Sequence, residues 1–338
     1  MKAGQTALVT GVTGQVGHYV AEILTRAGLN VVGLVRQSTT GRAGRGAAEL
    51  PYRPVPGDLL DEYSLLSLLE ETRPDYIFNF GAQSFIPASW TQPILTAQYT
   101  GLGVVRLMEA VRRAVPHCRV LQAGSSEMFA LSGTSPQDES TPLRPRNPYG
   151  VAKAFAYHTM LCYRQHYDLF ATNAIFYTNE SPRRSTEFLF RKVTRAVAEI
   201  VAKKREQLSL GNLDTVRDWG FGPEFANVAV QLLCQPAPDD FVVATGQGHT
   251  IQQMVERAFA LVDLSWRDYV HIDTSLVRSS EPAPLIGNSD KLRRQCGITI
   301  ALGFEEVLRL ILAYDLRREG LRVPFELPDS PYRSYVDA

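Results

Sequence analysis

Apolar runs of strand length recur through the first half of the chain, and each is followed by a segment of helical period. TALVTG (6–11), NVVGLVR (30–36), YIFNFGA (76–82), RVLQAGS (119–125) and FATNAIF (170–176) are the strands. Helical periodicity marks 15–27, 62–73, 96–115 and a long stretch from Pro148 to about Tyr167. Strands that are apolar on both faces must be covered on both faces. The pattern therefore predicts an α/β chain built on a doubly wound parallel sheet. After residue 177 the rhythm weakens into polar, Gly- and Pro-rich loops. DFVVATG (240–246) is one more strand, expected to rejoin the main sheet. The expected organisation is a first domain over 1–177, with 212–247 partly returning to it. A smaller α/β substrate domain spans 178–320, and 321–338 is an irregular tail, read as loose rather than strapped to a neighbouring subunit.

The first strand runs into TGVTGQVG, which places Gly11, Gly14 and Gly17 before the first helix. The spacing is G-x-x-G-x-x-G rather than the commoner G-x-G-x-x-G. The physics is shared: a tight turn, close backbone approach to a pyrophosphate, and helix N–H donors aimed at an anion. A Rossmann-type dinucleotide site follows, with Thr13, Gln15 and Val16 in the same loop. At the end of the second strand an acid would bind a ribose 2′-hydroxyl. Here GLVRQSTTGRAGRG supplies Arg36, with Arg42 and Arg45 behind it. A guanidinium suits a 2′-phosphate, so NADP is the expected cofactor. Asp58, in PGDLLD, is placed for the adenine edge or for an ordinary turn.

Composition excludes more than it assigns. Lys plus Arg equal Asp plus Glu at 35 each, so no global basic field favours nucleic acid or an anionic membrane. Cys118, Cys162, Cys234 and Cys296 are scattered and form no metal or disulfide motif. No apolar stretch is long enough to span a membrane, and no signal peptide is evident. The expected location is the cytoplasm, with no metal.

Tyr149 and Lys153 lie four apart in NPYGVAK, on one face of the helix starting at Pro148. A tyrosine has a pKa of about 10 in water. A nearby ammonium and the cation of an oxidised nicotinamide favour its phenolate, which makes it a base. Ser125, closing the preceding strand, would hydrogen-bond the reacting oxygen. Glu127, in AGSSEMF, is the discriminating residue. Oxidising a sugar C4 hydroxyl acidifies the proton on C5. A carboxylate can remove that proton and return it to a leaving C6 hydroxyl, which makes the reaction a 4,6-dehydration.

These blocks, with NFGAQSFIPASWTQP, NESPRRSTEFLFRKVTRAVA and LGNLDTVRDWGF, closely resemble GDP-mannose 4,6-dehydratases of the extended short-chain dehydrogenase/reductase family. The likeness runs from about residue 6 to about 318. It implies NADP, a GDP-sugar substrate, and a homo-oligomer (a dimer or tetramer) in which the 42–46 loop reaches a neighbour's cofactor. The catalytic set it implies is Ser125, Glu127, Tyr149 and Lys153. Leu59, Ala82 and Gln83 join the cofactor residues. Ser84, Ser126, Thr178, Asn179, Glu180, Lys192, Arg217, Arg278 and Glu281 form the substrate set, with Lys192 near guanine and Arg217 on the diphosphate.

Some positions depart from the family pattern. Serine stands at 125 where threonine is usual, and Thr178 and Asn179 replace an asparagine and a histidine. The catalytic set is kept while its surroundings change. A GDP-manno-heptose is therefore a candidate substrate beside GDP-mannose, with capsule or lipopolysaccharide sugar synthesis as the setting. A 4-epimerase or 4-keto reductase would need Tyr149 and Lys153 but not Glu127. A non-catalytic NADP-sensing regulator would need neither.

Overall fold

A computed structural model of the chain describes residues 1–36, 50–276 and 284–337. Its main sheet has seven strands: β1 (Thr6–Thr10), β2 (Asn30–Val35), β3 (Arg53–Pro56), β4 (Tyr76–Asn79), β5 (Arg119–Ser125), β6 (Ala171–Phe176) and β10 (Asp240–Val243). The order is β10-β6-β5-β4-β1-β2-β3, and every pairing is parallel. The chain reverses direction across the sheet between β1 and β4. In such sheets ligands bind at that point, beyond the carboxyl ends of the strands.

Expectation and structure agree closely at β5 and at α6 (Pro148–Tyr167). DFVVATG does return to the main sheet, as β10 beside β6. No apolar run announces β3, whose sequence is RPVP. Proline cannot donate to a ladder, which is tolerable only because β3 is an edge strand.

The main sheet is covered by α1 (Gln15–Arg26), α2 (Glu62–Thr72), α5 (Gly103–Ala114) and α6. The segment 96–115, expected as one helix, is divided. Short α3 (Ile86–Thr91) and α4 (Pro93–Thr96) lead into a π-helical turn, Ala97–Leu102, and then α5. A Cβ on Gly101 would lie 3.2 Å from the Phe155 ring, so close approach of α6 shapes this turn. π-turns concentrate at functional sites, and this one presents Tyr99 and Thr100 to the loops around the cavity described below.

The remaining elements are β7 (Thr178–Glu180), α7 (Leu189–Val201), β8 (Leu208–Leu210), β9 (Val216–Phe221), α8 (Gly222–Leu232), β11 (Gly248–Thr250), α9 (Ile251–Ala260), β12 (Val270–Ile272), α10 (Asp290–Cys296) and α11 (Phe304–Arg318). β11, β9 and β7 form a small sheet, and β12 pairs with β8. α8 shares a core with α1: Phe225, Ala226 and Ala229 are buried with Val20, Ala21 and Leu24. A second core, including Phe190, Trp219, Phe259 and Leu312, lies under α7, α9 and α11. The tail is irregular but not loose. Val336 is fully buried, Tyr335 sets its ring edge-on to Tyr19 at 5.0 Å, and Arg317 Nη1 donates to the Val336 carbonyl at 2.8 Å. Apolar residues spaced through the segment, Phe325, Tyr332 and Val336, hold it on its own chain.

Candidate active site

A cavity of about 760 Å³ opens where β1, β4 and β5 end. It gathers most of the residues singled out from sequence. The glycine loop contributes Gly11, Thr13, Gly14, Gln15, Val16 and Gly17, and Arg36 closes β2. Leu59, Ala82, Gln83 and Ser84 stand on the loops of the same edge. Ser125, Ser126, Glu127, Tyr149 and Lys153 line the middle, and Thr178, Asn179, Glu180, Lys192 and Arg217 the far side. Arg42, Arg45, Arg278 and Glu281 lie outside the described residues.

The glycine loop fits a dinucleotide. Gly11 has φ +64°, and a Cβ there would sit 2.7 Å from the Phe80 carbonyl carbon. A Cβ on Gly17 would meet the Gly11 oxygen at 2.5 Å. Both positions exclude any side chain. Gly14 is the N-cap of α1, with no side-chain cap and no acid in the first turn. Its N–H groups and positive end are left for an anion. Gln15 turns the other way. Its Nε2 donates to the Asn179 backbone oxygen at 2.9 Å and to Asn179 Oδ1 at 2.6 Å, and its Oε1 accepts from Ser181 at 2.7 Å. Asn179 is thereby bound to the glycine loop, and its own Nδ2 donates to the Tyr177 carbonyl at 3.2 Å.

Arg36 is exposed and lies over the Tyr99 ring, 5.2 Å from its centroid. The Tyr99 hydroxyl donates to Asp58 Oδ2 at 2.8 Å, and Asp58 Oδ1 accepts from the Leu60 N–H at 2.9 Å. Asp58 therefore stands behind the wall that Leu59 and Tyr99 present, rather than in it.

In the middle of the cavity, β5 ends at Ser125, which caps a 3₁₀ turn over Ser126–Phe129. Its Oγ accepts from the Glu127 N–H at 3.3 Å. That turn brings Glu127 into the cavity at 7% exposure, and Oε2 accepts from Asn147 Nδ2 at 2.7 Å. Asn147 in turn caps α6, which projects Tyr149 and Lys153 toward β5. Burial pushes the Tyr149 phenol up to about 12, opposed by a hydrogen bond from Ser125 and the Arg184 charge and reinforced by Glu127. Burial lowers Lys153 to about 8, while its Nζ donates to the Ala123 carbonyl at 2.6 Å. The ammonium lies 5.8 Å from the Tyr149 ring centroid. Burial thus moves the two groups apart, favouring the neutral phenol and easing loss of the lysine's proton.

On the far side Glu180 is 2% exposed, and its Oε2 has no hydrogen-bond partner among the described residues. Burial raises its carboxyl to about 7, against Arg184 and then Arg191. Arg184 Nε is 3.8 Å from Glu180, and its guanidinium is stacked 3.5 Å above the Phe188 ring. Lys192 is half-buried and donates to the Ser209 carbonyl at 2.8 Å. Arg217 Nη1 donates to the Val216 carbonyl at 2.8 Å.

Sequence reasoning did not single out Asn147, Arg184 or Tyr99. Asn147 had a readable signal, an N-cap residue immediately before Pro-Tyr at a helix start. Arg184 and Tyr99 had none of that kind, because their places depend on tertiary packing.

The fold is that of Rossmann-type short-chain dehydrogenase/reductase enzymes. A putative epimerase from Burkholderia cenocepacia J2315 superimposes with a TM-score of 0.82 at 25% identity, over 94% of this chain and all (100%) of that one. RMD from Pseudomonas aeruginosa, solved with NADPH, gives 0.77 at 21%, again over 94% and 100%. Within that class the sequence is more specific. A GDP-mannose 4,6 dehydratase family model matches residues 8–311. GDP-mannose 4,6 dehydratase 1 of Arabidopsis thaliana is 38% identical, over 94% of this chain and 91% of its own. The human GDP-mannose 4,6 dehydratase is 34% identical, over 93% and 92%. The chain belongs to the GDP-mannose 4,6 dehydratase family.

Proposed function

We infer that the chain is a GDP-sugar 4,6-dehydratase. The observation that carries this reading is the buried Glu127 carboxylate in one cavity with Ser125, Tyr149 and Lys153. A nicotinamide dinucleotide, held by the glycine loop at Gly11, Gly14 and Gly17, would supply reversible hydride chemistry between C4 and C6. Tyr149 takes the C4 hydroxyl proton, with Ser125 holding the same oxygen and Lys153 supporting the phenolate. Glu127 then removes the C5 proton and delivers it to the departing C6 hydroxyl, which leaves as water. C5 regains a proton from solvent as C6 is reduced, so the net change is loss of one water. An epimerase or reductase has no step that calls for Glu127, and a sensor has no use for the reacting set.

The reading has finer parts. NADP is favoured because Arg36, not an acid, ends β2 beside the cavity. Arg36→Ala is expected to lower affinity for NADP about tenfold and leave NAD unaffected, roughly one charge-assisted contact. Equal losses for both would assign Arg36 to general packing. We read the chain as two units, 1–177 with 212–247 partly returning to it and 178–320, followed by a tail over 321–338. We place it in the cytoplasm, in keeping with four free cysteines. No helix among the described residues is long and apolar enough to cross a membrane. Trp90, Leu102, Val151 and Phe155, all exposed around a second hollow of about 580 Å³, suit contact with a second copy.

The sugar is mannose or a manno-heptose, and the departures at Ser125 and Thr178, which line the cavity, favour the heptose. Incubation with GDP-mannose and with GDP-manno-heptose, followed by mass, tests this. A product lighter by one water is expected from at least one, faster from the heptose. A clear preference for GDP-mannose would remove the heptose, and no water loss from either would remove the dehydratase.

A further inference from the structure

Glu127 has two carboxylate oxygens and two tasks, taking a proton and giving it back. The amide of Asn147 decides which oxygen serves. Asn147 is 4% exposed and is the N-cap of α6, with extended backbone at φ −138° and ψ 160°. Its Oδ1 accepts from the Gly150 N–H at 2.8 Å. A backbone N–H can only donate, so this bond fixes the amide's orientation. The Oδ1 end faces the helix, and the Nδ2 end faces Glu127. Nδ2 also can only donate. It stands 2.7 Å from Glu127 Oε2, which is therefore held as an acceptor. There is little slack in the arrangement. A Cβ on Gly150 would lie 2.7 Å from the Glu127 backbone oxygen, so the start of α6 is packed directly against the chain at 127.

We propose that Asn147 is a positioning residue for the elimination: it reserves Oε2 as a standing acceptor and routes the transferred proton through Oε1. This rests on the reading of Glu127 as the acid and base of a 4,6-dehydration. In that step the C5–H bond breaks and its proton passes to Oε1. The electron pair forms the C5–C6 double bond as the C6–O bond breaks. The proton on Oε1 leaves with the departing hydroxide as water. Oε2 keeps its bond to Asn147 throughout, so the carboxyl cannot turn about its terminal torsion between the two transfers. The same side chain caps the helix carrying Tyr149 and Lys153. The base of the oxidation and the base of the elimination are thus registered to each other by one residue.

Three variants of the full chain separate capping from proton routing. Aspartate caps as well as asparagine but offers Glu127 an acceptor in place of a donor. Serine keeps the cap, since its hydroxyl accepts from Gly150, but it lacks the second polar atom that reaches Glu127. Alanine keeps neither. The measurement is a rapid-quench first turnover of a GDP-sugar, with products resolved by mass, beside KM and the melting temperature. For Asn147→Asp, oxidation at C4 is expected to continue while water loss slows about tenfold or more, a fraction of a full acid–base contribution. The 4-keto sugar, lighter by a pair of hydrogens and still holding its C6 oxygen, should then accumulate, with KM little changed. Asn147→Ser should keep the melting temperature yet slow water loss as Asn147→Asp does. Asn147→Ala should lose elimination and melting temperature together.

Water loss at the wild-type rate in Asn147→Asp overturns the proposal. So does a parallel fall of both steps that follows the melting temperature across all three variants, which a cap alone explains. Glu127→Gln, run alongside, keeps the two claims apart. If it still loses water, the reading of Glu127 fails. If it stops at the 4-keto sugar while Asn147→Asp does not, only the routing fails.

Discussion

Two buried carboxylates face the same cavity, and they are held in opposite ways. Glu127 follows β5 and is met by a purpose-placed donor, the Asn147 amide at 2.7 Å. Glu180 ends β7 and has no such donor on Oε2 among the described residues. Its nearest cation atom is 3.8 Å away, and burial holds its carboxyl at about 7. A carboxylate buried with its hydrogen bond is ready to act, whereas one buried without is waiting for a donor. The hydroxyl groups of a bound sugar are donors of the right kind. The difference teaches that the protein itself orients Glu127 through Asn147, while it leaves Glu180 Oε2 without a hydrogen bond among the described residues.

The comparison is broken most severely at Glu127. Glu127→Gln should reduce water loss by roughly 10²–10⁴, the usual range for a lost acid–base group, while C4 oxidation survives. Rapid-quench mass analysis checks it, and unchanged water loss would make the two carboxylates equivalent bystanders.

Lys153 offers a second contrast, a buried cation lining the same cavity. Its pKa falls from 10.5 to about 8, so the native state releases a proton before the unfolded state does. Stability therefore rises as pH climbs from about 8 to 10.5, and below 8 the charged native form carries the whole burial penalty. Lys153→Met should abolish most turnover yet raise the melting temperature at pH 7, by at most ~3 kcal/mol of stability. Thermal melts at pH 7 and 10 decide this. A lower melting temperature at pH 7 would mean that the Ala123 hydrogen bond outweighs desolvation.

The smallest change is expected at Glu180. Its native pKa lies above its ordinary 4.5, so the native state binds more protons between about 4.5 and 7. Stability falls as pH rises through that window. Glu180→Gln should remove the slope, leaving the ligand-free variant more stable than the parent above pH 7 by no more than ~3 kcal/mol, and equal to it below 4.5. Melting curves from pH 4 to 8 measure this. A parent whose stability climbs through the window would place a strong donor on Glu180 and erase the contrast with Glu127.

Much of this site can be read without coordinates, because the information is local. Strand-to-glycine-to-helix at 6–17 and Tyr149 with Lys153 on one helical face are matters of spacing and period. So is a serine–glutamate pair after β5. What escaped depends on distant packing. Nothing near Asn147 says that its amide reaches Glu127, twenty residues away. Nothing in YTNES says that Asn179 will bind Gln15 across the cavity rather than face substrate. The division of 96–115 by a π-turn comes from the approach of α6 at Gly101, and β3 is hidden by its prolines. Prolines and short apolar spacing give the tail the look of a linker, although Val336 is buried.

The account stands or falls on one transfer: hydrogen leaves C4 and reappears on C6 of the same sugar. GDP-mannose or GDP-manno-heptose carrying deuterium at C4, turned over by the full chain, measures it directly. The prediction is a product lighter by one water, with the deuterium on C6 and no build-up of free reduced nucleotide. Deuterium retained at C4 without water loss, or lost to the nucleotide pool, would contradict it and return the site to epimerase or reductase chemistry.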